Sequence, residues 1–287
     1  MEGFGDSKKS KKKSPIKMSQ RDKDFLLNSA IHHHQRGDLA NAEKEYRKAI
    51  ESGLLHHAIF SNLGIICKNS GRREEAISLY YKAIEVNPNH PDAYTNLGNL
   101  YRDLGQFNQA LTYTLKSLEL NPNNPDCHTN LGVIYKNLGN INQALASTLK
   151  SLELNPNNPN AQMNLGGIYK ELGNLNQAVT STLKSLELNP DDPDALSNLG
   201  SYYRDLDKLD EALGCTLKSL ELNPTNPNTH MNLGGIYKDL GNLDKALTAT
   251  LKSLELNPNN ATVYMNLGSI YSDLGDLDQA LAATLKS

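Results

Sequence analysis

The chain is poor in cysteine. Cys67, Cys127 and Cys215 are its three, too few and too scattered for a disulfide framework or a zinc knuckle. They read as reduced thiols of a cytoplasmic protein. No apolar run approaches the roughly 18 residues of a membrane-spanning helix. The lysine-rich N-terminus has no apolar stretch behind it, which excludes a secretory signal. Outside a secretory route, the sequon at Asn260-Ala-Thr is a chance match. Motifs that carry chemistry are lacking as well. There is no GxxxxGK[ST] loop, and the two Leu-Gly-Gly stretches at 165–167 and 233–235 fall inside a helical pattern, not a phosphate loop. His32, His33 and His34 are consecutive, so on a helix they point away from one another. His56, His57, His90, His128 and His230 lack HxxxH spacing. No catalytic residue, metal site or cofactor site is assigned, and the chain as it stands reads as a non-enzyme.

Charge is unevenly placed. Residues 1–21 hold seven basic groups against Glu2 and Asp6, a net of +5, so with −3 overall the remainder carries −8. The basic tail, taken as 1–22, is low in apolar residues and is expected to be a disordered, solvated arm. It offers the one plausible contact with RNA or an anionic surface. The acidic body weighs against nucleic-acid binding elsewhere.

What the chain has in abundance is repetition. A length of 287 residues suggests about two globular domains, but internal repeats override that prior. The dipeptide Asn-Leu recurs at Asn62, Asn96, Asn130, Asn164, Asn198, Asn232 and Asn266, always 34 residues apart. Eight repeats follow: 23–56, 57–90, 91–124, 125–158, 159–192, 193–226, 227–260 and an incomplete 261–287. In 91–124, Tyr94, Leu97, Gly98, Tyr101 and Leu104 form one helical stripe, and Gly105 ends it. Phe107, Ala110, Leu111, Thr114 and Leu118 form a second, stopped at Asn121-Pro122. An Asn or Asp before Pro opens most repeats, as at Asn124-Pro125 and Asp192-Pro193, where the side chain caps and Pro fits the first helical position. Gly98 and Ala110 are small where the two helices must come close. Neither helix buries its stripe alone, so neighbours must stack.

A 34-residue repeat with Leu97-Gly98, Tyr101, Gly105, Ala110 and Pro122 resembles the tetratricopeptide repeat (TPR). The resemblance covers residues 23–287. It implies an all-α solenoid of antiparallel helix pairs, coiled into a right-handed superhelix whose first helices line the concave side. The repeats depart from the family pattern in the second helix. Thr114, Thr148, Thr182, Thr216, Thr250 and Thr284 stand where an aromatic is usual, and Ser117 to Ser287 stand for the usual Ala. Each Thr hydroxyl is expected to bond to the preceding turn of its own helix, and the later repeats to be individually weaker. Asp207 replaces the turn glycine, at a left-handed position that Asp tolerates. His33 and Cys67 fall on the Tyr101 row and are expected to pack.

On a helical wheel the opposite face of each first helix carries three rows. One is the uniform asparagine row from Asn62 to Asn266. A basic row runs through Lys68, Arg102, Lys136, Lys170, Arg204 and Lys238. Beside it lie Asn69, Asp103, Asn137, Glu171, Asp205, Asp239 and Asp273. An asparagine side chain offers both donors and an acceptor, so the row can grip the main chain of an extended peptide. It is similar to the asparagine ladder in the TPR half of protein O-linked N-acetylglucosamine transferase. It can equally serve helix-to-helix hydrogen bonds. The basic row reads as a solvated face or as a trap for acidic side chains or a C-terminal carboxylate. Gly167 and Gly235 are expected to leave the groove floor low, with Met163, Met231 and Met265 supplying soft apolar contact.

Two functions fit this pattern. One is an interaction scaffold that binds an extended peptide or protein segment in the concave groove. The other is the substrate-recruiting portion of a glycosyl- or sulfotransferase, because the chain halts at Ser287 inside a second helix, as though further sequence followed. Exposure of Leu281 and Leu285 there also suggests self-association through that helix.

Overall fold

Short sequences at each end of a helix dictate where it starts and stops. The computed structural model describes residues 18–287, and among these the secondary structure is entirely helical and turn. The helices come in pairs: α1 (Gln20–Gln35) with α2 (Leu39–Glu51), α3 (His57–Asn69) with α4 (Arg73–Val86), α5 (Pro91–Asp103) with α6 (Phe107–Leu120) and α7 (Pro125–Asn137) with α8 (Ile141–Leu154). The series continues with α9 (Pro159–Glu171) and α10 (Leu175–Leu188), then α11 (Pro193–Asp205) and α12 (Leu209–Leu222). It ends with α13 (Pro227–Asp239) and α14 (Leu243–Leu256), then α15 (Ala261–Asp273) and α16 (Leu277–Thr284).

The side chains of Asn124, Asn158, Asp192, Asn226 and Asn260 each accept a backbone N–H of the first turn that follows. Within each pair the turn needs a left-handed residue. Gly105 supplies it at φ 72°, and Asp207 takes the same conformation at φ 59°. Helix α1 begins at Gln20, capped by Ser19 in a capping box with Asp22, so it reaches back into the stretch read as tail. The rest of that tail, residues 1–17, lies outside the described residues.

The chain divides into two compact units, Met1–Pro122 and Asn123–Ser287. The described part of the first holds α1 to α6 and the second α7 to α16. In the first unit α3 and α5 sit side by side, in the second α7, α9, α11, α13 and α15 do so in turn, and each second helix packs against its own partner. First helices are therefore covered on two sides, and their buried arc is wider than one stripe. Leu97 and Tyr101 are buried as the periodicity predicts. The deepest row, however, is Leu100, Ile134, Ile168, Tyr202, Ile236 and Ile270, one step before the tyrosine row. Tyr135, Tyr169, Tyr237 and Tyr271 are only half-buried.

The second helices bury small side chains. Ala110, Ala144, Ala178, Ala212 and Ala246 are fully covered. Each helical glycine of the first helix faces the threonine of the second. A Cβ on Gly98 would lie 2.7 Å from Thr114 Oγ1, and one on Gly132, Gly166, Gly200 or Gly234 would overlap the matching hydroxyl. In α4 the residue in that place is Tyr80, whose ring lies over Gly64.

The hydroxyls do not behave as expected. Thr284 Oγ1 bonds back to Ala280 O at 2.8 Å, but Thr148, Thr182, Thr216 and Thr250 are buried without a hydrogen-bond partner. Their Oγ1 atoms face the glycine of the partner helix instead of their own preceding turn. The serines three residues on do find partners. Ser185, Ser219 and Ser253 donate to the carbonyls of Pro159, Pro193 and Pro227 at 2.7–2.8 Å, tying the second helix to the start of the first. At the last repeat, Leu277, Leu281 and Leu285 are exposed.

Candidate functional site

The asparagine row lies on first helices at one register, and all seven side chains are half-buried, not on an open pole. Neighbouring first helices flank the row and account for its partial cover. Its members differ in what they touch. Asn62 Nδ2 donates to Tyr46 OH at 2.9 Å. Asn232 Nδ2 reaches Ser197 Oγ at 3.3 Å and Ser197 O at 3.4 Å. Asn130 is engaged as well. Asn96, Asn164, Asn198 and Asn266 make no hydrogen bond to any described residue. So the row is partly a set of helix-to-helix ties and partly a set of unclaimed carboxamides.

The basic row is built into the array. Lys68 pairs with Asp103 at 2.7 Å, Lys136 with Glu171 at 3.5 Å, Lys170 with Asp205 at 3.1 Å and Lys238 with Asp273 at 3.3 Å, and Arg204 pairs with Asp239. Each pair joins a first helix to the next one, 35 residues on. Arg102 lies against Asp103 of its own helix at 2.8 Å. Partly exposed pairs of this kind contribute about 0–1 kcal/mol each. Their larger effect is on what the face presents, because a carboxylate arriving from outside must displace an acid already in place.

The same cations correct the expectation for the glycines. Lys136 Nζ stands 3.0 Å from where a Cβ on Gly167 would be, and the Arg204 guanidinium occupies the space over Gly235. In the alternate repeats a serine holds the cation instead: Lys170 Nζ donates to Ser201 Oγ at 2.9 Å and Lys238 Nζ to Ser269 Oγ at 2.6 Å. The missing side chains make room for a cation of the preceding repeat, not for a guest. Met163 and Met231 are half-buried and Met265 is exposed.

A cleft of about 320 Å³ opens between α3 and α5, and both Asn62 and Asn96 line it. Another, of about 570 Å³, lies between α13 and α14 and includes no member of the asparagine or basic rows. The smaller cleft has the more polar lining and shares the asparagine register.

Among the histidines, His33 is half-buried and bonded to Asp38 at 2.9 Å, and His34 packs edge-on against Tyr46. His56, His57 and His90 stack in a row with ring centroids 4.6 and 4.1 Å apart. Periodicity had no means to find this stack, since two of its members sit in separate inter-repeat connections. No group of three or more His, Cys, Asp or Glu among the described residues is placed to hold a metal ion. Cys67 and Cys127 are buried, and burial pushes the Cys67 thiol up to about 11, which leaves it protonated and unreactive.

Models of the tetratricopeptide repeat match residues 91–124, 113–146, 148–180, 193–226 and 215–248, and a related TPR repeat model matches 64–105, 166–205 and 234–275. Together they run from 64 to 275 with a single residue between them. The chain belongs to the tetratricopeptide repeat family. Solved structures share the fold of this TPR array. A tetratricopeptide repeat protein from Parabacteroides merdae matches 87% of the chain and 99% of its own at 21% identity, with a TM-score of 0.68. The Cut9–Hcn1 hetero-tetramer matches 88% of this chain and 57% of that one at 18% identity, TM-score 0.71. PilF of Pseudomonas aeruginosa matches 76% and 97% at 19% identity, TM-score 0.64. No curated protein matches the TPR chain. Among the described residues no helix is long and apolar enough to cross a membrane.

Proposed function

We propose that the TPR array is a non-catalytic, cytoplasmic interaction scaffold that holds an extended segment of another protein along the face of its first helices. The observation that carries this reading is the half-buried carboxamides without a hydrogen-bond partner among the described residues, Asn96 in the first unit and Asn164, Asn198 and Asn266 at one register in the second. A carboxamide has both donors and an acceptor and can bond to both sides of a peptide group. First helices about 10 Å apart and an extended chain advancing about 3.3 Å per residue put Asn164 and Asn198, on neighbouring first helices, about three peptide units apart along such a chain. The ion pairs alongside stiffen the floor on which those side chains stand. A ligand held this way is recognised by its main chain more than by its side chains. The Cut9–Hcn1 structure, of similar fold, is a hetero-tetramer.

The test uses a peptide selected from a random display library on the wild-type array. Asn164, Asn198 and Asn266 are changed together to Ala, and binding is measured by fluorescence anisotropy. The expected loss is about tenfold, or about 1.4 kcal/mol, with the melting temperature unmoved. If binding is unchanged, or if the triple variant unfolds, the ladder is not a peptide grip.

A further inference from the structure

At two junctions between first helices the cap of one repeat is tied to the repeat before it. Asn158 Nδ2 reaches Asp126 Oδ1 at 3.4 Å and Thr129 Oγ1 at 3.3 Å. Asn226 Nδ2 reaches Asp194 Oδ1 at 3.2 Å, and Thr229 Oγ1 donates to Ser197 Oγ at 3.0 Å. Between α3 and α5 this tie is broken. Ala58 stands where Asp126 and Asp194 stand elsewhere, and His90 replaces the asparagine cap without making a side-chain cap bond. The space left is the 320 Å³ cleft.

Two polar groups are stranded there. Ser61 is 5% exposed and its hydroxyl has no hydrogen-bond partner, and His90 Nδ1 is buried without one. Both residues line the cleft, with Asn62, Asp92 and Asn96. The lining is rich in acceptors. Asn62 spends its amide nitrogen on Tyr46, which leaves its carbonyl oxygen on offer. Asp92 brings a carboxylate to the lining, 3.8 Å from His90 Nε2, and a carboxylate accepts without donating. An arginine side chain is the complement, with five N–H donors, no acceptor and a positive charge.

We propose that the cleft between α3 and α5 is a side-chain pocket for an arginine of a segment bound along the first unit, beside Asn96. This rests on the groove reading above and adds a specificity to it. A junction that lacks this tie and carries a carboxylate gives a bound segment a point of contact for a cationic side chain.

The experiment selects random display peptides separately on the wild-type array, on Asp92→Asn and on Glu187→Gln, the last an exposed carboxylate on α10. The peptides from the wild-type array and from Glu187→Gln should be enriched in arginine, and those from Asp92→Asn should not. For one selected peptide, changing its arginine to glutamine should weaken binding to the wild type about tenfold and to Asp92→Asn hardly at all. Ser61→Ala should weaken the arginine peptide without lowering the melting temperature, since that hydroxyl has no partner to lose. Selected peptides that show no arginine preference, or an arginine preference that survives Asp92→Asn, overturn the pocket and leave the groove standing. A wild-type array that enriches no peptide at all overturns the groove reading, and the pocket with it.

Discussion

Replacing Thr148, Thr182, Thr216 and Thr250 together with valine should stabilise the array. Each of these hydroxyls is at most 1% exposed and has no hydrogen-bond partner. Leaving such a group buried and unsatisfied costs about 1–3 kcal/mol. Valine keeps the branched shape and removes the polar atom. The new methyl is larger than the oxygen it replaces and meets the glycine of the partner helix, so part of the gain is lost to crowding. A net gain of about 0.5–1 kcal/mol per site is the expected balance, about 2–4 kcal/mol over four sites in separate repeats that add independently. Urea unfolding followed by circular dichroism measures it: the midpoint should rise with the slope unchanged. Changing Ser185, Ser219 and Ser253 to Ala is the contrasting case. It removes three hydroxyls that donate from the second helix to the start of the first, and should destabilise by about 1 kcal/mol each. A quadruple valine variant whose midpoint falls would refute the reasoning, because the hydroxyls would then be engaged in the fold.

Two further outcomes follow from the same contacts. Gly132→Ala drives a Cβ into Thr148 Oγ1 and sets it 3.3 Å from Ala144 O, so it should cost about 1–3 kcal/mol. Adding Thr148→Ala removes the obstructing hydroxyl and leaves the remaining Cβ 3.5 Å away, and should recover most of the loss in the same urea assay. A double variant as unstable as the single one would show that the helix backbones are what clash. The His57 imidazole is held below its ordinary value, first by burial and then by His90 and His56 beside it, against a small opposing pull from Asp92. The unfolded chain then takes up a proton that the folded chain resists, so stability is full well above pH ~6.5 and falls as pH drops through that value. His57→Pro should flatten this fall in melting temperature between neutral and mildly acidic buffer. Proline is the residue found here in later repeats, and His56 already has the extended conformation that proline requires before it. An unchanged pH profile would assign the acid sensitivity to other groups.

Much of the architecture was legible in the letters because the period is local information. Asn-Pro at the start of a helix, Gly105 at its end and the spacing of Leu97, Gly98 and Tyr101 each act within a few residues, and the structure uses them as read. The left-handed turn at Asp207 followed from the same reasoning. Contacts between repeats were the harder part. The basic and acidic rows were visible as neighbours on one wheel, yet their pairing runs from Lys170 to Asp205 across two helices, at a reach that a single wheel does not contain. Gly167 and Gly235 looked like gaps for the same reason, since the cation that fills them comes from the repeat before. The threonine hydroxyls were misread because the partner helix, not their own preceding turn, sets which way they face.

The letters alone therefore settle the period, the pairing of helices and the positions of their caps, since each depends on backbone propensities and on an apolar pattern that recurs every 34 residues. Which polar side chains are spent inside the array, and which are left over for a partner, depends on how closely successive first helices approach. Packing between repeats also separates Asn62, tied to Tyr46 of the preceding second helix, from Asn96, which shares its register and is tied to no described residue.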